Sequence, residues 1–353
     1  MLILILSFSI IKNMKTALIT GISGQDGAYL AKLLLKKGYN VIGGERRNAS
    51  STLWRLNEIG ISDDIELVDF ELSEFTNILR VIDKHSPDEV YNLAAQSFVG
   101  ASFEMPTMTA DVTGLGVSRL LEAIRQVNTK IKFYQASSSE MFGKVAETPQ
   151  NEDTPFYPRS PYGVAKLYGH WITVNYREAY DMFACSGILF NHESPLRGHQ
   201  FVTRKITIGL SNIKLKKQKI LELGNLDAKR DWGFAGDYVE GMHMMLNHDI
   251  PDDYVLSTNE THSVREFIEI ACKELAINLK WQGTGKDEIG IDIESGDTII
   301  KINSKFYRPT EVDLLLGDSS KAKKILSWQN KTSFKELVSM MVVSDYDKIK
   351  KSL

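Results

Sequence analysis

An α/β chain, with a doubly wound parallel sheet and a smaller C-terminal substrate-binding lobe, is predicted by three observations on the 353-residue sequence. Short apolar runs alternate with helical patterns at near-regular intervals from Lys15 to about residue 190. The first apolar run ends in a glycine-spaced turn, Gly21, Gly24 and Gly27, that opens directly into a helix. Beyond residue 190 the alternation gives way to turns, a basic segment and the Gly-rich run 283–290. Strands separated by helices pair in parallel, because each crossover must pass back over the sheet. The arrangement is of Rossmann type.

In chain order, "KTALIT" (15–20) predicts the first strand, and "AYLAKLLLKKG" a helix with Leu30, Leu33 and Leu34 on one face and Gly38 as its cap. "YNVIGGE" from Tyr39, "IELVDF" (65–70), "EVYNLAA" (89–95), "IKFYQAS" (131–137) and "FACSGILFN" (183–191) predict five further strands. Helical patterns over 73–85, 107–127 and 161–180 lie between them. The expected division is a dinucleotide-binding domain over 14–190, to which 232–260 returns, and a lobe mainly over 191–345. The segment "KLKKQK" (214–219) reads as the solvated face of a basic helix.

Composition excludes several classes. With 43% apolar and 25% charged residues the chain is neither disordered nor collagen-like. A net charge of −3 with dispersed basic residues gives no nucleic-acid surface. Two cysteines in apolar contexts, Cys185 and Cys272, argue against a disulfide framework or a metal site and for a reducing, cytoplasmic setting. The apolar start "MLILILSFSII" is eleven residues long, short of the roughly 20 needed to span a bilayer, and lacks a basic leader. Residues 1–13 read as an extension ahead of a natural start at Met14, and no membrane association is expected.

Glycines at a strand-to-helix turn let backbone amides approach a pyrophosphate, whose charge the helix N-terminus favours. Gly21, Gly24 and Gly27 are therefore candidate dinucleotide contacts. At the end of the second strand, Glu45 would receive an adenosine ribose hydroxyl, favouring NAD. Arg46 and Arg47 would pair with a 2′-phosphate, favouring NADP. Two guanidiniums beside one carboxylate tip the reading to NADP.

The chemistry is expected at the C-terminal end of the fifth strand, where "QASSSEMFG" (135–143) places hydroxyls and a carboxylate after a buried run. Further on, Tyr162 and Lys166 stand at i and i+4 of a helix and share a face. A phenol is a poor base at neutral pH unless a nearby ammonium favours its ionised form.

Together, the glycine turn, "LAAQS" (93–97), Ser-Ser-Glu after the fifth strand and Tyr-x-x-x-Lys resemble the extended short-chain dehydrogenase/reductase superfamily. "SPYGVAKLYGHWITVNYREAY", "FNHESP", "FVTRKI", "LGNLDAKRDWGFAGDYVEGM" and "YRPTEVD" resemble more closely the GDP-mannose 4,6-dehydratases, from about Lys15 to Val342. That resemblance implies oxidation at carbon 4 of the sugar, water loss across carbons 5 and 6, and return of the same hydride to carbon 6. It assigns the base on the 4-hydroxyl to Tyr162 with Lys166, the acid/base at carbon 5 to Glu140, and the hydroxyl that holds the 4-oxygen to Ser138. Threonine is usual at the last position.

The same resemblance implies NADP contacts at Gly21, Ile22, Ser23, Gly24, Gln25, Asp26, Gly27, Arg46, Arg47, Glu71, Leu72, Leu93, Ala94, Ala95, Gln96, Ser97, Tyr162, Lys166, His192 and Arg197. Glu71 stands where the family has aspartate, and Met108 where tyrosine is common. For the GDP-sugar it implies Ser97, Ser138, Glu140, Asn191, Lys205, Gly224, Arg230, Arg308 and Glu311, and a homodimer or homotetramer. A dehydratase of a larger GDP-sugar, such as a GDP-manno-heptose, or a catalytically silent nucleotide sensor on the same fold, are the other readings.

Overall fold

The computed structural model describes residues 14–50, 52–306 and 315–353. The extension at 1–13 and the candidate site residues Arg308 and Glu311 lie outside the described residues. Elements of the sheet domain run β1 (Thr16–Thr20), α1 (Gln25–Lys36), β2 (Asn40–Glu45), α2 (Trp54–Glu58), β3 (Glu66–Asp69), α3 (Phe75–His85) and β4 (Glu89–Asn92). They continue with α4 (Val99–Glu104), α5 (Pro106–Thr109), α6 (Gly116–Val127), β5 (Lys132–Ser138), α7 (Pro161–Tyr180) and β6 (Ala184–Leu189).

Seven strands form one sheet in the order β11-β6-β5-β4-β1-β2-β3, where β11 is Tyr254–Leu256. Every pairing in it is parallel. The order reverses between β1 and β4, so a crevice opens at the C-terminal ends of those two strands, where such sheets bind ligands. Central strands are apolar on both faces because helices cover both. Ala17 and Ile19 face one core cluster and Leu18 the other.

Local chemistry sets the helix starts. Gly24 caps α1, Asp26 lies in its first turn and Lys36 in its last, matching the helix dipole. Ser160 caps α7 by accepting from the Gly163 N–H, and Pro161 occupies the first turn.

Four expectations shift in detail. β4 stops at Asn92 rather than Ala95, because the N–H groups of Leu93 and Ala94 turn onto the Thr20 hydroxyl, at 3.2 and 3.1 Å. The pattern at 107–127 is broken into α5, a π-helical stretch at Ala110–Leu115, and α6. The run 183–191 ends at Leu189, and β7 (Asn191–Glu193) pairs separately with β10 (Trp232–Phe234). The segment 214–219 is helical only at Lys214, and residues 215–219 form a turn. α8 (Val202–Lys214) stops there because Lys216 adopts φ +58° and the N–H groups of Lys217 and Gln218 fold back onto the Asn212 carbonyl.

After β6 the chain serves both bodies. α9 (Ala235–Leu246) packs on α1, and β11 and α11 (Ser320–Leu326) extend the sheet side. The lobe holds a four-stranded sheet, β13 (Leu279–Gln282), β14 (Ile289–Asp292), β15 (Thr298–Ile302) and β8 (Leu221–Leu223). Against it pack α8, α10 (Val264–Glu274) and α12 (Phe334–Lys351), around Ile206, Leu210, Phe267, Leu337 and Met341. A two-stranded ribbon, β9 (Lys229–Arg230) with β12 (His262–Ser263), joins this body. Among the described residues, no helix is long and apolar enough to cross a membrane.

Candidate active site

The glycine turn sits at the reversal point. Gly21 adopts φ +71°, and a Cβ there would meet the Ala94 nitrogen at 2.9 Å, so β1 and β4 can approach only because it is glycine. A Cβ on Gly27 would lie 2.4 Å from the Gly21 carbonyl oxygen. These contacts are backbone and cannot yield, so the turn keeps an open cradle at the start of α1. Ile22 points into the core, leaving its main chain to the turn.

The next two residues tie the turn to β7. Gln25 donates to the His192 carbonyl at 3.1 Å and accepts from Ser194 at 2.7 Å. Asp26 pairs with His192 Nε2 at 2.8 Å, and the other ring nitrogen faces the Phe190 carbonyl at 2.8 Å. Burial pushes the Asp26 carboxyl up, but the His192 charge and hydrogen bond outweigh it and hold the group at about 2. Burial likewise pulls His192 down, and Asp26 raises it above the usual imidazole value. His192 also stacks on Tyr238, with ring centroids 4.7 Å apart. The two residues implied as separate cofactor contacts are thus a locked pair.

Arg197 pairs with Glu193 at 3.0 Å and stacks over Phe201 at 3.6 Å. Its charge reaches both Asp26 and Tyr162. Beside it, Arg55 donates to the Ser23 and Leu196 carbonyls at 2.9 and 2.7 Å. Burial, with Arg204 and Arg197 nearby, draws Arg55 down to about 10. Cations therefore gather around the phosphate turn.

At the far end of β2, Glu45, Arg46, Arg47, Thr52 and Asp69 line a cavity of about 290 Å³. Two buried atoms there, Glu45 Oε1 and Thr52 Oγ1, have no hydrogen-bond partner. Glu71 accepts weakly from the Ser73 N–H at 3.4 Å, and Leu72 is buried with its carbonyl taken by Arg119, so Leu72 presents no side chain to a ligand. Of 93–97, Gln96 is fixed by its N–H to Thr113 Oγ1, and Ser97 is exposed.

On the chemical side, β5 is buried from Phe133 through Ser137, and Ser138 and Glu140 are half-buried at its end, with Ser139 buried between them. The Ser138 hydroxyl accepts from the Glu140 N–H at 3.2 Å, which caps a single helical turn, Ser139–Met141. α7 packs so tightly on this turn that a Cβ on Gly163 would lie 2.7 Å from the Glu140 carbonyl. That contact places Tyr162 beside Ser138 and Glu140. The Ser138 hydroxyl lies near enough to the Tyr162 phenol to favour its ionised form, and the Glu140 charge opposes this.

Burial pushes the Tyr162 phenol well up, Glu140 adds to this, and Ser138 only partly offsets it. Lys166 is 4% exposed, donates to the Ala136 carbonyl at 2.7 Å and lies 5.8 Å from the Tyr162 ring centroid. Burial draws it down to about 8. Burial favours the protonated phenol, and the cation that partly offsets it is Arg197 rather than Lys166.

Sugar-nucleotide candidates sit on the lobe side. Lys205 stands 3.4 Å over the Phe306 ring and lines a cavity of about 480 Å³ with His199, Gln218 and Glu222. Burial draws its ammonium down. Gly224 abuts the Phe306 carbonyl, where a Cβ would come within 2.8 Å. Arg230 is buried on β9 and donates to the Lys229 carbonyl at 2.8 Å. Asn191 opens β7, half-buried and next to His192.

The profile of the GDP-mannose 4,6 dehydratase family matches residues 18–341. The chain belongs to this family. A GDP-mannose 4,6 dehydratase of Dictyostelium discoideum is 52% identical over 345 residues, covering 95% of this chain and 97% of that protein. One from Drosophila melanogaster is 51% identical, covering 96% and 88% respectively. Among solved structures, a dTDP-glucose 4,6-dehydratase from Streptomyces venezuelae with NAD bound superimposes with TM-score 0.80 over 96% of this chain and 98% of that one. At 17% identity that likeness shows the fold alone, a parallel sheet flanked by helices.

Membership in the GDP-mannose 4,6-dehydratase family leaves three supporting features that sequence reasoning did not single out. Thr20 shapes the 93–94 turn, and Arg55 braces the phosphate turn. Arg204 bonds Asp345 at 2.9 and 2.7 Å and the Pro195 and Arg197 carbonyls at 2.5 and 3.0 Å, holding the Arg197 segment against α12. Arg204 lies inside the quoted "FVTRKI", which is the one sequence signal for any of them.

Proposed function

We propose that the protein is an NADP-dependent GDP-mannose 4,6-dehydratase, a hydro-lyase that converts GDP-D-mannose to GDP-4-keto-6-deoxy-D-mannose for deoxyhexose synthesis. The observation that carries this reading is Glu140, held half-buried within electrostatic reach of the Tyr162 phenol. A simple hydride-shuttling epimerase needs no carboxylate there. The glycine cradle and the unpartnered Glu45 and Thr52 oxygens fit a dinucleotide, and Arg46 and Arg47 beside them favour a 2′-phosphate.

Each step falls to a named side chain. Ser138 holds the 4-oxygen while Tyr162 takes its proton. NADP, when bound, supplies hydride acceptance at carbon 4 and donation at carbon 6. The new ketone acidifies the carbon 5 proton, which Glu140 removes. As the carboxylic acid, Glu140 then protonates the departing 6-hydroxyl, and water leaves. The proton held by Tyr162 balances the one that finally closes carbon 5. Lys205 and Arg230 are assigned to the diphosphate and nucleoside, since cations suit that anion.

Incubation of the protein and NADP with GDP-mannose and, separately, GDP-manno-heptose tests this. Loss of one water from GDP-mannose supports the reading, preference for the heptose redirects it to the larger donor, and loss from neither favours the silent sensor. A cytoplasmic homodimer or homotetramer is also proposed. Val164, Tyr168 and Trp171 form an exposed apolar strip along α7, at 55, 43 and 54% exposure, adjoining exposed Leu115. Sedimentation at the monomer mass would contradict it.

A further inference from the structure

The cavity at the end of β2 carries more than a phosphate reader. Arg46 and Arg47 are exposed there, and between them and the strand stands a carboxylate whose Oε1 is buried and unpartnered. Glu45 is the last residue of β2, its carbonyl fixed by the Phe70 N–H at 2.9 Å and its register set opposite Asp69 of β3. Its side chain therefore has a rigid origin. Thr52 Oγ1, across the same cavity of about 290 Å³, is independently buried without a partner. A buried polar atom without a partner is costly unless a ligand or water satisfies it, and two on one cavity point to a polyhydroxyl guest.

Resting on the dinucleotide reading above, we propose that Glu45 is a specificity-determining residue that lets this chain accept NAD as well as NADP. The carboxylate receives the adenosine 2′- and 3′-hydroxyls of NAD, with Thr52 on the other side of the ribose. With NADP the 2′-hydroxyl is replaced by a dianion. Arg46 and Arg47 attract it, while Glu45 loses an acceptor role and stands as a like charge beside it. The guanidiniums and the carboxylate thus act in opposite directions on the same ribose position. The unmodified protein discriminates only weakly between the two cofactors, by about tenfold or less in favour of NADP. A charge-assisted hydrogen bond to one cofactor and a like-charge contact with the other are each worth about one power of ten.

Calorimetric titration of the full chain with NAD, NADP, ADP and 2′,5′-ADP, without sugar substrate, reads this directly. Glu45→Gln and Glu45→Ala are expected to weaken NAD about tenfold and to leave NADP equal or tighter, so the NADP preference widens to about a hundredfold. ADP and 2′,5′-ADP should follow the same order, which locates the effect at the ribose. Arg46→Ala is expected to move the ratio the other way. An unchanged ratio in both Glu45 variants, with NADP still bound, overturns this inference and leaves the enzymatic reading intact. Failure of the unmodified protein to bind either dinucleotide overturns both.

Discussion

Glu140→Gln is expected to lower kcat for water loss by about a thousandfold, within the range for removing a general acid–base group, while GDP-mannose affinity changes by less than about threefold. The frame around the residue depends on its main chain. Ser138 accepts from the Glu140 N–H, and α7 packs through Gly163 on the Glu140 carbonyl. Glutamine keeps both contacts and the side-chain shape, but can neither take the carbon 5 proton nor return one to the leaving hydroxyl. The loss should therefore fall on kcat and leave KM nearly untouched, the mark of a group acting only in the transition state. Mass spectrometry of timed reactions gives both numbers. Turnover within tenfold of the unmodified enzyme would remove the assigned role.

Tyr162→Phe should cost about ten-thousandfold in kcat, at the top of the same range, and should also flatten the pH profile. Burial holds the phenol well above its ordinary value. The ionised form that accepts the 4-hydroxyl proton is scarce at neutral pH and grows as pH rises. Lys166 works in the opposite sense: drawn down to about 8 by burial, it loses its charge above that pH. The native rate should accordingly climb from neutral pH and turn over near 8, where Lys166 gives up its charge. In Tyr162→Phe the climb disappears. A retained climb would assign the titration to another group.

The parts of this fold that were legible in the sequence are those set by local pattern. β1 reads as a buried parallel strand because Ala17, Leu18 and Ile19 are apolar on both faces. α7 reads as a helix from Ser160 and Pro161, and its i, i+4 spacing puts Tyr162 and Lys166 on one side. The place of Glu140 at the end of β5 was legible from the hydroxyls around it, whereas its acid/base role came only from the family resemblance. What local pattern cannot carry is pairing over distance. Asp26 meets His192 across 166 positions and Arg204 meets Asp345 across 141, and neither pair shares an element. The overrun of β4 has the same origin, since Leu93 to Ala95 continue an apolar run whose N–H groups are claimed by Thr20. Spacing gives the proximity of Tyr162 to Lys166 but not the burial that raises the phenol.

The central claim is that one site, with Tyr162 and Glu140 around a single sugar, oxidises carbon 4 and reduces carbon 6 of the same molecule. GDP-mannose carrying deuterium at carbon 4, converted in the presence of NADP and unlabelled water, tests it most directly. The account predicts a product that has lost one water and carries the deuterium at carbon 6. A product without deuterium, or with the label still at carbon 4, would contradict it.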